Sequence, residues 1–409
     1  MITISQMSIE TLAKFGFVNV RVSQCQSNEH EFYEPRPLGS RYSEFATGSI
    51  NRIIHQLEFI CLLRMNMASL QLGLLMNRLL VACLSLGATL ANGESSAKQP
   101  LEPTIRKARL SKAQTARVVQ TNHHREIFLF GALRVECGPE HFLREVLDIK
   151  RFKQGPEVLA VGLFHPQKAS LADLENLTFA PSEIDSLRNC KPGACPWRLS
   201  TASMRQLNQV RWNEPNARRQ ADRIVREEIV GVVSLYQQQG ISSLAPYNDK
   251  QRTLDVSLEL RQMLDASAGI FAETPQLQER LNGFPNVPLP GVEDLFYWSL
   301  EKMGPKQVFS VTHMTLYRDG PKLFIVGMQI YGNHYLDGML SLSRLESDPT
   351  QSDQAWLEYS SRSRLGLLEG PAASMRRMLL EEALRRTMQR YLLDTAQRVR
   401  QPNLAQTLR

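Results

Sequence analysis

The sequence predicts an α+β fold: an antiparallel sheet packed on one long C-terminal helix, with a large helical insertion between the sheet's strands. Three observations predict it. Four strand-like runs follow one another between Lys306 and Leu365, joined by short turns, as in a meander. The apolar pattern then takes a helical period from Pro371 to Arg400. Far upstream, residues 126–164 read strand, helix, strand, and the stretch between the two blocks reads helical.

Residues 1–75 show no sustained period and read as an over-extended reading frame or an N-terminal extension. Met76-Asn77-Arg78, the 13-residue apolar run Leu79–Ala91 and the small polar residues after it read as a secretory signal peptide over 76–93. The physiological start is then Met76, with Met65 and Met67 as alternatives, and the mature protein is periplasmic or secreted. The other reading is a membrane anchor through residues 65–91. Arg64 and Arg78 interrupt that stretch, and the run is too short to span a bilayer. Leu80-Val81-Ala82-Cys83 matches a lipoprotein box by chance, because Arg78 lies too close to it. Residues 94–125 are polar and basic and read as a tether, with His123-His124 exposed in it.

Glu126–Glu136 is rich in β-branched and aromatic residues and reads as the first strand. Gly138-Pro139-Glu140 opens a helix with Phe142, Leu143, Val146 and Leu147 on one side. Gly155-Pro156 breaks it, and Glu157–Phe164 is a second strand. Residues 165–304 form the helical insertion, with helices over Leu171–Leu177, Ser182–Asn189, Ala202–Trp212, Asn216–Gln239, Leu254–Asp265, Gln276–Leu281 and Val292–Met303. The insertion either covers a cavity as a lid or stands as a separate lobe. Residues 305–400 complete the sheet domain. Lys306–Arg318 stops at Asp319-Gly320-Pro321, Lys322–Tyr331 stops at Gly332-Asn333, and Tyr335–Glu346 carries small residues at Gly338, Ser341 and Ser343. Trp356–Leu365 is the last strand. In the final helix, about 45 Å long at 1.5 Å per residue, Met375, Leu379, Ala383, Met388, Tyr391, Leu392, Thr395 and Val399 form the apolar stripe.

The net charge of +7 and the pI near 9.1 are spread along the chain. No dense basic tract interleaves with aromatics, so nucleic acid is not an expected partner. Cys190-Lys-Pro-Gly-Ala-Cys195 closes around a Pro-Gly turn and predicts a disulfide in an oxidising compartment. Two free thiols, or a metal or redox role, are the alternatives. No phosphate loop, G-x-S-x-G elbow or H-E-x-x-H site occurs, and no cofactor or metal is expected.

The order of elements resembles the helix-grip fold of the START and polyketide-cyclase-like superfamily. The stretch from Gly131 to Ile149 looks like that superfamily's opening strand and helix. The resemblance covers residues 126–164 and 305–400 and implies a hydrophobic cavity between sheet and helix. Cys190–Cys195, Leu289–Trp298, Thr312-His313 and Gln329–Tyr335 also look like segments of a set of uncharacterised exported bacterial proteins, which implies export and no particular activity.

Six of the fourteen methionines follow position 310. Met314, Met328, Met339, Met375, Met378 and Met388, with Tyr335, are the expected lining of a pocket for a hydrophobic small molecule or lipid; ordinary core packing is the alternative. His313, His334 and Asp337 are the candidates for acid–base chemistry in the same cavity, of a cyclase, dehydratase or hydrolase type. The alternative is that they satisfy one another in a half-buried sheet. Tyr335 and Asp337 are expected on one face with Met339 and Ser341. A third reading makes the insertion a docking surface for an envelope protein partner.

Overall fold

The computed structural model describes residues 101–303 and 306–400. The predicted signal segment, its alternative anchor and everything upstream lie outside the described residues. In chain order the elements are α1 (Pro103–Ser111), β1 (Thr115–Val119), β2 (Glu126–Val135), α2 (Pro139–Leu147), α3 (Ile149–Phe152) and β3 (Val158–Phe164). The insertion supplies α4 (Pro181–Asp185), α5 (Thr201–Gln209), α6 (Ala217–Gln239), α7 (Val256–Asp265) and α8 (Pro275–Asn282). Then come β4 (Val292–Met303), β5 (Lys306–Asp319), β6 (Lys322–Gly332), β7 (Leu336–Asp348), β8 (Gln351–Leu365) and α9 (Ala373–Arg398).

All eight strands form one antiparallel sheet in the order β1-β2-β8-β7-β6-β5-β4-β3. Consecutive strands β3 to β8 are neighbours, apart from the closing pair of β2 with β8. Side chains alternate along each strand, and the alternation feeds two separate cores. Phe128, Phe130, Val326, Met328 and Trp356 pack with the insertion helices on one face. Ile127, Leu129, Ile325, Leu357 and Tyr359 pack with α2, α3 and α9 on the other. The insertion is therefore a layer on the face opposite α9, neither a lid over the α9 side nor a separate lobe.

Two expectations are corrected. Val292–Met303 is not a helix but β4, paired along its length with β5. Its run Phe296-Tyr297-Trp298 is buried on both faces of a sheet covered on both sides, so it lacks the alternation that marks a half-buried strand. Part of the supposed tether is structured: α1 buries Ile105 and Ala108, and β1 is the sheet's edge beside β2.

The terminal helix agrees with expectation in extent, but its buried stripe is rotated. Leu380, Leu384, Thr387, Met388, Tyr391, Leu392 and Thr395 are buried, whereas Met375 is 57% exposed and Leu379 is 36% exposed. Cys190 and Cys195 form the predicted disulfide, with Cα atoms 4.3 Å apart. Gly193 takes φ of 80° at the turn between them, a conformation that disfavours any residue with a Cβ. The disulfide loop docks on the 247–254 hairpin, because Gly193 N–H donates to Asn248 O and Cys195 N–H to Asp249 O. No helix among the described residues is long and apolar enough to cross a membrane.

Candidate functional site

The three residues singled out for acid–base chemistry sit in three different places. His313, on β5, lies on the insertion face. Its Nδ1 is 2.9 Å from the Tyr236 hydroxyl on α6, and its Nε2 is 2.8 Å from Asp294 Oδ1 on β4. Thr315 donates to the same carboxylate oxygen and Arg280 to the other. Burial works against ionisation of Asp294, but the bonds from His313 and Thr315 and the charge of Arg280 outweigh it and hold the carboxyl below its ordinary value. Burial and the Asp294 charge push the Tyr236 hydroxyl up. Phe284 and Phe296 pack on the imidazole at centroid distances of 4.4 and 4.7 Å. This chain of polar groups pins α6 and α8 to the sheet.

His334, in the β6–β7 turn, faces Glu183 of α4 at 3.3 Å, and the Trp197 indole N–H shares that carboxylate. Burial holds His334 below the ordinary histidine value, with Glu183 pulling the other way. Tyr335 beside it is half-buried at φ of 60°.

Asp337 does not share a face with Met339 and Ser341. A register shift between Leu336 and Gly338 breaks the alternation, and the carboxylate turns to the insertion side. There it accepts from Arg198 at 2.8 Å, Arg252 at 2.9 Å and Arg125 at 2.5 Å. Arg125 and Arg364 also bind Glu259, and Arg362 and Arg364 bind Glu126. Burial would raise the Glu259 carboxyl, but the two arginines hold it below its ordinary value. Among the described residues no hydrogen bond or ion pair joins any two of His313, His334 and Asp337, so the expected convergence in one pocket is not seen.

The methionines divide in the same way. Met328 belongs to the insertion-side core, Met314 and Met388 to the α9-side core, and Met375 and Met378 are exposed on the first turns of α9. Met339 is buried and pairs with Ser363.

On the α9 face, two rows of directly opposed residues cross the sheet. The first is Met314–Gly327–Ser341–Ser361–Leu129. The second is Thr312–Gln329–Met339–Ser363–Ile127. In the middle of the first row, three adjacent strands offer a glycine and two serines. Further along the same strands, a row of Leu323, Leu345, Leu357 and Leu133 stands in their place. The face thus changes from large and apolar to small and polar toward the N-terminal end of α9, where Arg377 donates to Glu126 O. Gln329, 3% exposed in the second row, has a side-chain oxygen with no hydrogen-bond partner among the described residues. No residue in either row ionises, because the charged residues of β8 (Glu358, Arg362 and Arg364) turn to the insertion face.

At that end of α9 a cleft of about 520 Å³ opens between the β1–β2 connection and the first helical turns, lined by His123, His124, Leu368, Arg377, Met378 and Glu381 among others. Leu368 belongs to the α9-side core, so the cleft reaches that core's edge. His124 is exposed as expected, but His123 is half-buried and stacks on it at 5.2 Å. Burial and the charges of Arg364 and Arg125 hold His123 below its ordinary value.

The small-residue rows were partly visible in the sequence, through Ser341; of the two small residues named with it, Gly338 faces the insertion and Ser343 lies one row away. Gly327, Ser361, Ser363 and the orphaned Gln329 were not singled out; the Ser-x-Ser alternation within Tyr359–Leu365 was the available signal. Among the described residues, no group of three or more His, Cys, Asp or Glu is placed to hold a metal ion. Comparison with protein-family models and with curated proteins finds no match.

Proposed function

We propose that this chain is an exported binding protein for a hydrophobic small molecule or lipid, held between the α9 face of the sheet and α9 itself. The observation that carries the reading is the Gly327–Ser341–Ser361 strip, three neighbouring positions without a large side chain, two rows from Leu323–Leu345–Leu357 on the same face. Met314 flanks the strip in its own row and Met339 in the next, and thioether side chains adapt to varied apolar shapes. Met375 and Met378, exposed where α9 begins, mark the side on which an apolar ligand enters. The strand order, the strand–helix–strand opening and the terminal helix support the helix-grip reading of the fold. The disulfide supports export, since such bonds persist in oxidising compartments.

The test is native mass spectrometry of the periplasmically expressed protein, followed by organic extraction, for wild type and Ser341→Leu. Wild type carries an apolar adduct, and the leucine, reaching into the strip, displaces it while the fold is retained. A wild type with no adduct that also binds no lipid from mixed vesicles, or an adduct that persists in Ser341→Leu, overturns the reading.

A further inference from the structure

We propose that the outer face of α9 docks on the surface of a bilayer rich in anionic lipids, with Met375, Met378 and Leu379 entering the apolar boundary and Arg386 and Arg390 meeting the phosphates. This face is turned away from the sheet, so the inference holds whatever lies between α9 and the sheet.

Two observations carry it. The first is an apolar patch. Eleven large apolar side chains are exposed among the described residues; seven of them are spread over six elements, and the other four lie on α9. Exposed apolar side chains that stand singly are ordinary, whereas a contiguous group marks a contact surface. Met375, Met378 and Leu379 form such a group. They are 57%, 64% and 36% exposed and occupy positions i, i+3 and i+4 of one helix, so they adjoin. Pro371 and Ala372, just before them, are exposed as well. Arg376 donates to the carbonyls of Leu367 and Glu369 and ties this end of the helix to the fold.

The second observation is charge. Between Ala373 and Leu393 the helix carries five arginines against two glutamates. Arg386 and Arg390 are exposed and follow Met375 by close to three and four helical turns, so they stand on the same outward side, as does the exposed Leu393. Glu382 lies between the patch and these cations, but Arg385 and Arg386 already pair with it at 3.0 and 2.7 Å. A convex helix with apolar side chains at one end and cations along the same side suits a partner that offers apolar depth, diffuse negative charge and no particular shape. An anionic bilayer offers all three.

The test is flotation of the periplasmically expressed protein with vesicles of phosphatidylcholine, alone or mixed with an equal part of phosphatidylglycerol. Wild type binds the mixed vesicles about 10-fold or more tighter than the neutral ones, and about 0.5 M salt removes most of the difference. Arg386→Gln with Arg390→Gln, and separately Met375→Gln with Met378→Gln, each weaken binding to mixed vesicles about 10-fold. Melting temperatures barely move, because all four side chains are exposed. Leu235→Gln with Leu258→Gln, which changes exposed leucines of α6 and α7, leaves vesicle binding as in wild type. Equal affinity for the two kinds of vesicle, binding that survives either α9 double variant, or an equal loss in the Leu235/Leu258 variant overturns the inference. So does a wild type that ignores vesicles and sediments as a dimer that the methionine variant dissociates, for the patch then meets a second copy of the chain.

Discussion

Replacing Asp337 with Ala removes the acceptor shared by Arg125, Arg198 and Arg252. The side chains of Asp337, Arg198 and Arg125 are 3%, 4% and 8% exposed, so water cannot take the carboxylate's place without rearrangement. Severing a buried ion pair costs about 3–5 kcal/mol. The surviving partners place this case at the lower end. Arg125 keeps Glu259 and Glu369, Arg198 keeps the carbonyls of Gly332 and Leu336, and Arg252, at 40% exposure, can hydrate. The expected loss is about 3 kcal/mol, a large share of the roughly 5–15 kcal/mol that stabilises a typical domain. Urea unfolding at neutral pH, followed by circular dichroism, reads it directly. Asp337→Asn keeps an acceptor but drops the charge, so it loses about half as much. In a cycle with Arg198→Ala the two losses fail to add by about 1 kcal/mol or more. Salt at about 0.5 M leaves the Asp337→Ala deficit largely intact, because buried pairs are weakly screened. A deficit under about 1 kcal/mol, or additive losses in the cycle, would refute the placement of Asp337 as the hub joining β7 to the insertion.

Three other outcomes are expected. Asp294 and Glu259 have depressed carboxyl values in the fold, so they contribute stability that is present above the ordinary carboxylate range and lost as pH falls through the folded values. The depressed values of His123 and His334 make the urea midpoint decline gently from about pH 6.5, the carboxylates make it drop steeply below about pH 4, and that steep drop is shallower in Asp294→Asn. Reducing the Cys190–Cys195 bridge, or replacing both cysteines with serine, costs about 2 kcal/mol for so short a loop, and the oxidised protein weighs two hydrogens less by mass spectrometry. Gly162→Ala destabilises more than Gly131→Ala in thermal melts: a Cβ at Gly162 meets the indole ring of Trp298, whereas one at Gly131 meets the flexible ends of Leu392 and Met388.

What the sequence could and could not reveal follows from how far each signal reaches along the chain. Turns are local, and Asp319-Gly320-Pro321 and Gly332-Asn333 placed the β5–β6 and β6–β7 connections within a residue or two. Strand β4 was lost for a tertiary reason. Leu295–Trp298 reads as a helix or a fully buried strand equally well, and only the layers on both faces decide. Strand β1 was lost because an edge strand of five residues needs little apolar content. The hydrogen bonds of Asp337 and Glu126 to their arginines join residues 85 to 238 positions apart, a distance at which no local pattern operates.

The last strand separates two faces that no motif marks. In Gln351–Leu365 the even positions from Trp356 to Arg364 meet the insertion, and the odd ones from Leu357 to Leu365 meet α9. Glu358, Arg362 and Arg364 are thus structural ions, each facing an opposite charge: Arg109 and Arg344 for Glu358, Glu126 for Arg362, and Glu126 with Glu259 for Arg364. On the other face Leu357 and Tyr359 give way to Ser361 and Ser363, before Leu365 restores a large side chain. On β7 Leu345 gives way to Ser343 and Ser341, and on β6 Leu323 and Ile325 give way to Gly327, before Met339 and Gln329 restore long side chains in the next row. The small residues of the three strands meet in one row, Gly327–Ser341–Ser361.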